Sequence, residues 1–183
     1  MLDYKQYLDT ACSTLRTAGI VAVPTDTVYG LAIDPENNLA KQKLYRLKGR
    51  DANKPLVYMV QDIQQLVTQI SIPDSVKPLL EKHWPGALTV IFAKHMGGTL
   101  GVRIPQAPFM LALLKAYNKP LAVTSANLSG EPEINTVEEL ERKFTHSIDM
   151  YVPLFEPLSG LASTVIDVSA GKIKVLRQGE IKI

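Results

Sequence analysis

IVAVPTDTVYGLAIDPEN, residues 20–37, with KGRDANKP, residues 48–55, beyond it, is the stretch on which the reading of this chain turns. The apolar run Ile20-Val21-Ala22-Val23 predicts a buried strand that ends in Pro24. Such a strand, ending in Pro and followed by the hydroxyls of Thr25 and Thr27, delivers small hydrogen-bonding groups to a sheet edge, where α/β proteins bind their ligands. Downstream the chain gathers Lys48, Arg50 and Lys54. Hydroxyls on one side and cations on the other suit a small anionic substrate, which points to an enzyme.

Working outward, residues 4–18 place Leu8, Ala11, Cys12, Leu15 and Ala18 on one helical stripe, and Gly19 is the expected stop. Asn38 is read as the cap of a helix reaching Lys48, with Leu39, Leu44 and Leu47 inward. Pro55 to Val60 reads as a buried strand, Asp62 opens a helix, and Pro73-Asp74-Ser75 starts another that ends near His83. Leu88–Phe92 and Leu100–Ile104 are strands around a Gly97-Gly98 turn. Phe109–Tyr117 is helical and Pro120–Thr124 a strand. Thr136-Val137-Glu138-Glu139 is a capping box for a helix to about Lys143. Ser163–Val168 and Lys172–Leu176 close the chain as β-rich runs. Helices and strands mix throughout without repeat or linker, so the expectation is a single α/β (α+β) domain over residues 1–183 built on one sheet.

Composition bounds the function. With 183 residues and 46% hydrophobic side chains, the chain can bury a full core. A net charge of +2 falls short of whole-surface nucleic-acid binding. Cys12 is the single cysteine, which excludes internal disulfides and fits a cytoplasmic setting. No signal or transit peptide is recognisable at the start. No apolar run approaches the roughly 18 residues of a membrane span.

The chemistry-bearing residues are distinctive for what is missing. The sequence has no phosphate-loop motif, no Gly-x-Gly-x-x-Gly after a strand and no Gly-x-Ser-x-Gly elbow. His83, His95 and His146 share no metal spacing, so no metal site built from side chains is expected. What remains is cations and hydroxyls at strand ends. Lys41 and Lys43 read as a solvated helix face. Lys48, Arg50 and Lys54 read as loop cations able to converge on phosphate oxygens. Arg103 sits within an apolar run, so it either faces solvent or meets an anion in a cleft. Thr124–Gly130 is either a nest of free N–H groups or a polar turn, and Ser163-Thr164 and Arg177-Gln178-Gly179 are open in the same way.

In this order the blocks resemble the YrdC/TsaC family of threonylcarbamoyl-AMP synthases. The blocks are PTDTVYGL (24–31), KGRDANKPL (48–56), HWPGALTVIF (83–92), VRIP (102–105), TSANLSG (124–130), STVIDV (163–168) and VLRQGEI (175–181). The resemblance implies a twisted mixed sheet surrounded by helices, with a positively charged concave cleft, in the short single-domain form. It implies synthesis of L-threonylcarbamoyl-AMP and pyrophosphate from L-threonine, bicarbonate or CO2, and ATP, with Mg2+ on the phosphates. Partner proteins would then use the adenylate to modify adenosine-37 of tRNA.

Residue by residue, the resemblance puts Lys48 and Arg50 in catalytic positions near the phosphates. Thr27, Arg103 and Ser163 fall at the L-threonine site, with Arg103 on the carboxylate. Arg50, Lys54, Thr99, Ser125, Asn127 and Arg177 fall at the nucleotide. Some members carry a His where this chain has Met59, which reads here as core. Adenylating a carbamate needs no protein nucleophile, only positioning and charge neutralisation, which suits a site rich in Thr, Ser, Lys and Arg. Two other readings compete. An RNA-binding module would contact tRNA or RNA through phosphates, but paired aromatics for stacking are missing. A carbamoyl-adenylate-forming domain of hydrogenase maturation would bring acylphosphatase-like or zinc-finger segments, which this sequence lacks.

Overall fold

The computed structural model describes residues 4–49 and 56–183. Five α-helices are found among them: α1 (Tyr4–Arg16), α2 (Asn38–Lys48), α3 (Lys77–His83), α4 (Pro108–Tyr117) and α5 (Val137–Phe144). The strands are β1 (Val21–Pro24), β2 (Tyr29–Ile33), β3 (Val57–Met59), β4 (Ile70–Ser71), β5 (Leu88–Lys94), β6 (Thr99–Arg103), β7 (Leu121–Ser125), β8 (Met150–Tyr151), β9 (Thr164–Asp167) and β10 (Lys174–Arg177). All ten join one sheet in the order β10-β9-β5-β6-β3-β7-β2-β1-β8, with β4 paired to β5. Pairing is mixed. β3–β6, β5–β9 and β1–β8 run parallel and the other pairs antiparallel.

The two sheet faces are covered unequally, and that inequality makes the site. On one face, Ala22, Leu31 and Ile33 pack under α2 and α5. Further along the same face, Val90, Phe92, Val102 and Ile166 pack with Leu80 of α3 and Leu66. On the opposite face, Val21, Val23, Ala32 and Val123 pack under α1 and α4. Each Val, Leu or Ile among them contributes about 1.5–3 kcal/mol on burial. Among the described residues, none from β6, β5 or β9 joins the core that α1 and α4 cover on that face, and β3 contributes only Met59. Strand pairing places Thr89, Met59 and Arg103 there side by side, because paired residues share a face.

Several local expectations are corrected. Tyr29–Ile33 is a strand that hairpins back on β1, with Pro24 opposite Tyr29. It is buried on both faces and so shows no alternation to read. The cap of α2 is Asn37, not Asn38: its side chain accepts from the N–H groups of Leu39 (3.0 Å) and Ala40 (3.1 Å). Leu39 is 55% exposed because it lies about 140° around the helix from Leu44, which is buried as expected. Asp62 caps only the 3-10 turn Ile63–Leu66, a run too short to continue. Thr136 does cap α5, accepting from the Glu139 N–H at 3.3 Å.

Gly19 stops α1 by a different device from the one expected. Ala18 takes the left-handed conformation (φ 60°), and the Gly19 N–H returns to the Thr14 carbonyl at 2.8 Å. Gly19 is needed because a Cβ there would meet the Thr14 side chain and stand 2.7 Å from the Thr14 carbonyl oxygen. Gly19→Ala should therefore lower stability by about 1–3 kcal/mol, the usual range for overpacking, measured by urea denaturation. A loss below half a kcal/mol would show that the turn yields freely.

Candidate active site

The turn between β1 and β2 is tied by Thr25. Its hydroxyl accepts from the N–H groups of Thr27 (3.1 Å) and Val28 (3.3 Å) and donates to the Val28 carbonyl (2.7 Å). Having given its proton to Val28, Thr25 must accept from the Thr27 hydroxyl at 3.0 Å. The Thr27 oxygen is thereby oriented to receive a donor from the sheet. That donor is Arg103.

Arg103 ends β6 and is only 3% exposed. Its Nε donates to the Gly86 carbonyl (2.9 Å), one terminal nitrogen to the Thr27 hydroxyl (3.0 Å), and the other to Asp26 (2.7 Å). Burial pulls its pKa below the ordinary guanidinium value, and the Asp26 carboxylate opposes that pull. Of the two options left by the sequence, a cation facing a cleft is the one realised. One N–H on each terminal nitrogen has no partner among these three, which leaves two donors beyond Gly86, Thr27 and Asp26.

A second cluster forms where β9 enters. Ser163 is buried and shares a 2.9 Å hydrogen bond with the buried Thr89 hydroxyl. Arg177, at the end of β10, donates from Nε (3.0 Å) and a terminal nitrogen (2.8 Å) to the Ser163 carbonyl, and reaches the Ser163 hydroxyl at 3.1 Å. The Arg-x-Gly spacing has a steric reason. A Cβ on Gly179 would stand 2.5 Å from the Ser163 carbonyl carbon, so only glycine lets the chain pass while its N–H donates to Thr164 (2.9 Å).

The third element is the turn after β7. The Ser125 hydroxyl donates to the Asn127 side-chain oxygen (2.8 Å), and the Asn127 amide donates to the Glu131 carbonyl (2.6 Å). The free-N–H nest that the sequence left open is closed at three positions by backbone: the N–H groups of Ala126, Asn127 and Ser129 donate to the carbonyls of Tyr29 (2.9 Å), Ser125 (3.1 Å) and Lys48 (3.0 Å). Lys48 is the last residue of α2 and is 2% exposed, not a solvated loop cation. Its ammonium donates to the Ser125 carbonyl, the Asn127 carbonyl (2.9 Å) and the Asn127 side-chain oxygen (2.8 Å). It holds the turn from behind.

Thr27, Arg103, Ser163, Ser125 and Arg177 all line one cleft of about 200 Å³. Lys48 and Asn127 stand behind its wall. Thr99 is exposed on the same sheet face by strand parity, about 13 Å along β6 from Arg103, and does not line this cleft. The expected positions Arg50 and Lys54 lie outside the described residues. Met59 both joins the core and lines the cleft floor. Sequence reasoning missed Asp26 and Thr89 as site groups. Asp26 could have been found as the acid between two threonines, Thr89 as the polar break in an apolar strand. Glu133 also lines the cleft, an exposed carboxylate that no motif marked. Among the described residues no group of His, Cys, Asp or Glu is arranged to hold a metal ion.

This arrangement defines a class: a mixed-sheet protein with a small polar cleft on one sheet face, lined by a buried arginine and a second arginine. The chain belongs to the Sua5/YciO/YrdC family, whose model, described as "Telomere recombination", matches residues 13–179. It is 31% identical over 188 residues to the putative threonylcarbamoyl-AMP synthase of Methanocaldococcus jannaschii, covering 99% of this chain and 89% of that one. It is 35% identical over 182 residues to the threonylcarbamoyl-AMP synthase of Bacillus subtilis, covering 93% of this chain and 53% of that one. The structure of Pyrococcus abyssi Sua5 complexed with L-threonine superposes with a TM-score of 0.89 at 29% identity, covering 98% of this chain and 55% of that one. The chain thus spans about half the length of the Bacillus and Pyrococcus relatives.

The buried ammonium yields a stability prediction. Lys48→Met should lower stability by about 3 kcal/mol, because it strands buried carbonyl acceptors of residues 125 and 127. Thermal denaturation measures it. A melting temperature unchanged from wild type would return Lys48 to a purely ligand-directed role.

Proposed function

We propose that this protein is an L-threonylcarbamoyladenylate synthase, converting L-threonine, bicarbonate or CO2, and ATP to threonylcarbamoyl-AMP and pyrophosphate. The observation that carries the reading is the pre-oriented Arg103 fork, with Thr27 beside it and Ser163 and Arg177 in the same cleft. Relatives that bear the synthase name, one of them solved with L-threonine, support it.

On this reading Arg103 takes the threonine carboxylate through its two remaining N–H groups, with the Thr27 and Ser163 hydroxyls alongside. The amine is carboxylated to a carbamate, one carbamate oxygen attacks the α-phosphorus of ATP, and pyrophosphate leaves. Ser125, Arg177, Arg50 and Lys54 belong to the nucleotide side, where fixed cations offset the charge developing on the transferring phosphate. Asn127 and Lys48 act through the Ser125 turn. Thr99 lies far enough along β6 that only an extended nucleotide would touch both it and the Arg103 region. ATP would arrive as its Mg2+ complex, the ion held chiefly by phosphate oxygens.

The same reading takes residues 1–183 as a single YrdC-like domain with a positively charged cleft, working in the cytoplasm. No helix among the described residues is long and apolar enough to cross a membrane. Partner proteins would pass the threonylcarbamoyl group to tRNA position 37, and a direct tRNA or RNA contact belongs to that step.

Purified protein given ATP, bicarbonate and L-threonine should release pyrophosphate, and omitting threonine should remove most of that release. Threonine-independent release, or none, would sink the assignment. Arg103→Lys keeps the charge but loses the fork, so kcat/KM for threonine should fall at least about tenfold. Arg50→Ala should abolish turnover in a folded protein.

A further inference from the structure

Asp26 has no place in the roles above, yet it is bound to the group at their centre. Its carboxylate accepts from Arg103 at 2.7 Å, with 4% and 14% side-chain exposure for the two partners. Asp26 does not line the cleft, whereas Arg103 does. The other charged groups that act on Arg103 among the described residues are Glu180 and Arg177, which oppose one another in sign. The guanidinium therefore presents its fork to the cleft with its charge already cancelled from behind.

That arrangement discriminates between ligands. A plain carboxylate docking on the guanidinium would complete a group of two anions and one cation around a largely buried ion pair, where imbalance is costly. An amino-acid zwitterion carries its own ammonium and leaves the group balanced. A cation meant simply to capture anions would be weakened by such a partner.

We propose that Asp26 is a selectivity residue: by neutralising Arg103 it favours an amino-acid zwitterion over the same molecule without its ammonium. This rests on the reading that Arg103 receives the substrate carboxylate. The second half of the turn supports a built device. The Asp26 and Thr27 carbonyls accept from the N–H groups of Ser159 (3.2 Å) and Gly160 (2.8 Å), so the carboxylate is held on fixed backbone.

Asp26→Asn separates charge from geometry, since the amide oxygen can still accept from Arg103. Calorimetric titration of wild type and variant with L-threonine and with 3-hydroxybutyrate, its deaminated analogue, tests the idea. The variant should bind 3-hydroxybutyrate about tenfold more tightly than wild type does, with threonine affinity changing less. Asp26→Glu, which keeps the charge, should retain the wild-type preference. Unchanged or weaker 3-hydroxybutyrate binding by a folded Asp26→Asn protein overturns the proposal. Asp26→Ser carries the same comparison if the amide variant does not fold. A wild type that binds no threonine counts against the proposed function instead, and the 3-hydroxybutyrate comparison still decides the role of Asp26.

Discussion

A guanidinium buried at the end of a central strand is the constraint around which this molecule is arranged. Arg103 cannot stay charged at 3% exposure unless its donors are met, and two segments far apart in sequence meet them. Gly86 comes from the loop before β5, and Asp26 and Thr27 from the turn after β1. Those partners pin the turn, and the turn in its own right is knotted by Thr25. The segment around Ser159 and Gly160 then fastens to the same turn through its backbone. Loops far apart in sequence are thus held in register by one side chain.

The far wall of the cleft follows similar logic with hydroxyls and carbonyls. Arg177 is exposed, but two of its donors converge on the Ser163 carbonyl, and Gly179 lets β10 pass close enough for that. Lys48 does for the Ser125–Asn127 turn what Asp26 does for Arg103: a buried group, out of sight of the cleft, decides where a lining residue stands. Rigid backing of this kind is what catalysis by positioning requires, because a misplaced donor of even about 1 Å forfeits much of its effect.

The legible features of the sequence were those that physics writes locally. Apolar runs such as Leu88–Phe92 announce strands, and Thr136 with Glu139 announces a helix start, because each signal is complete within a few residues. The helix at Asp62 failed because a cap without a long periodic run closes only one turn. Strand β2 escaped notice because both its faces are buried, which erases alternation. Lys48 was read as a loop cation because the neighbouring Gly49 and Arg50 suggested a loop. Its burial depends on the turn at residues 125–127, 77 and more positions away.

By itself the sequence determined the blocks, their order and the family resemblance, and with these the expectation that Thr27, Lys48, Arg50, Lys54, Thr99, Arg103, Ser125, Asn127, Ser163 and Arg177 serve one site. Motif order carries that information, because residues that must meet a common ligand keep their chemical types. Only the tertiary structure decided which polar groups face the cleft and which stand behind it. It set Arg103 toward the cleft by strand parity, gave Asp26 to it as a partner, and buried Lys48 and Asn127 behind the cleft wall. It also placed Thr99 about 13 Å from Arg103 on the same sheet face. The physical reason is that facing is a property of sheet pairing and of how far across a sheet the helix-covered core extends. Neither is written in any single segment.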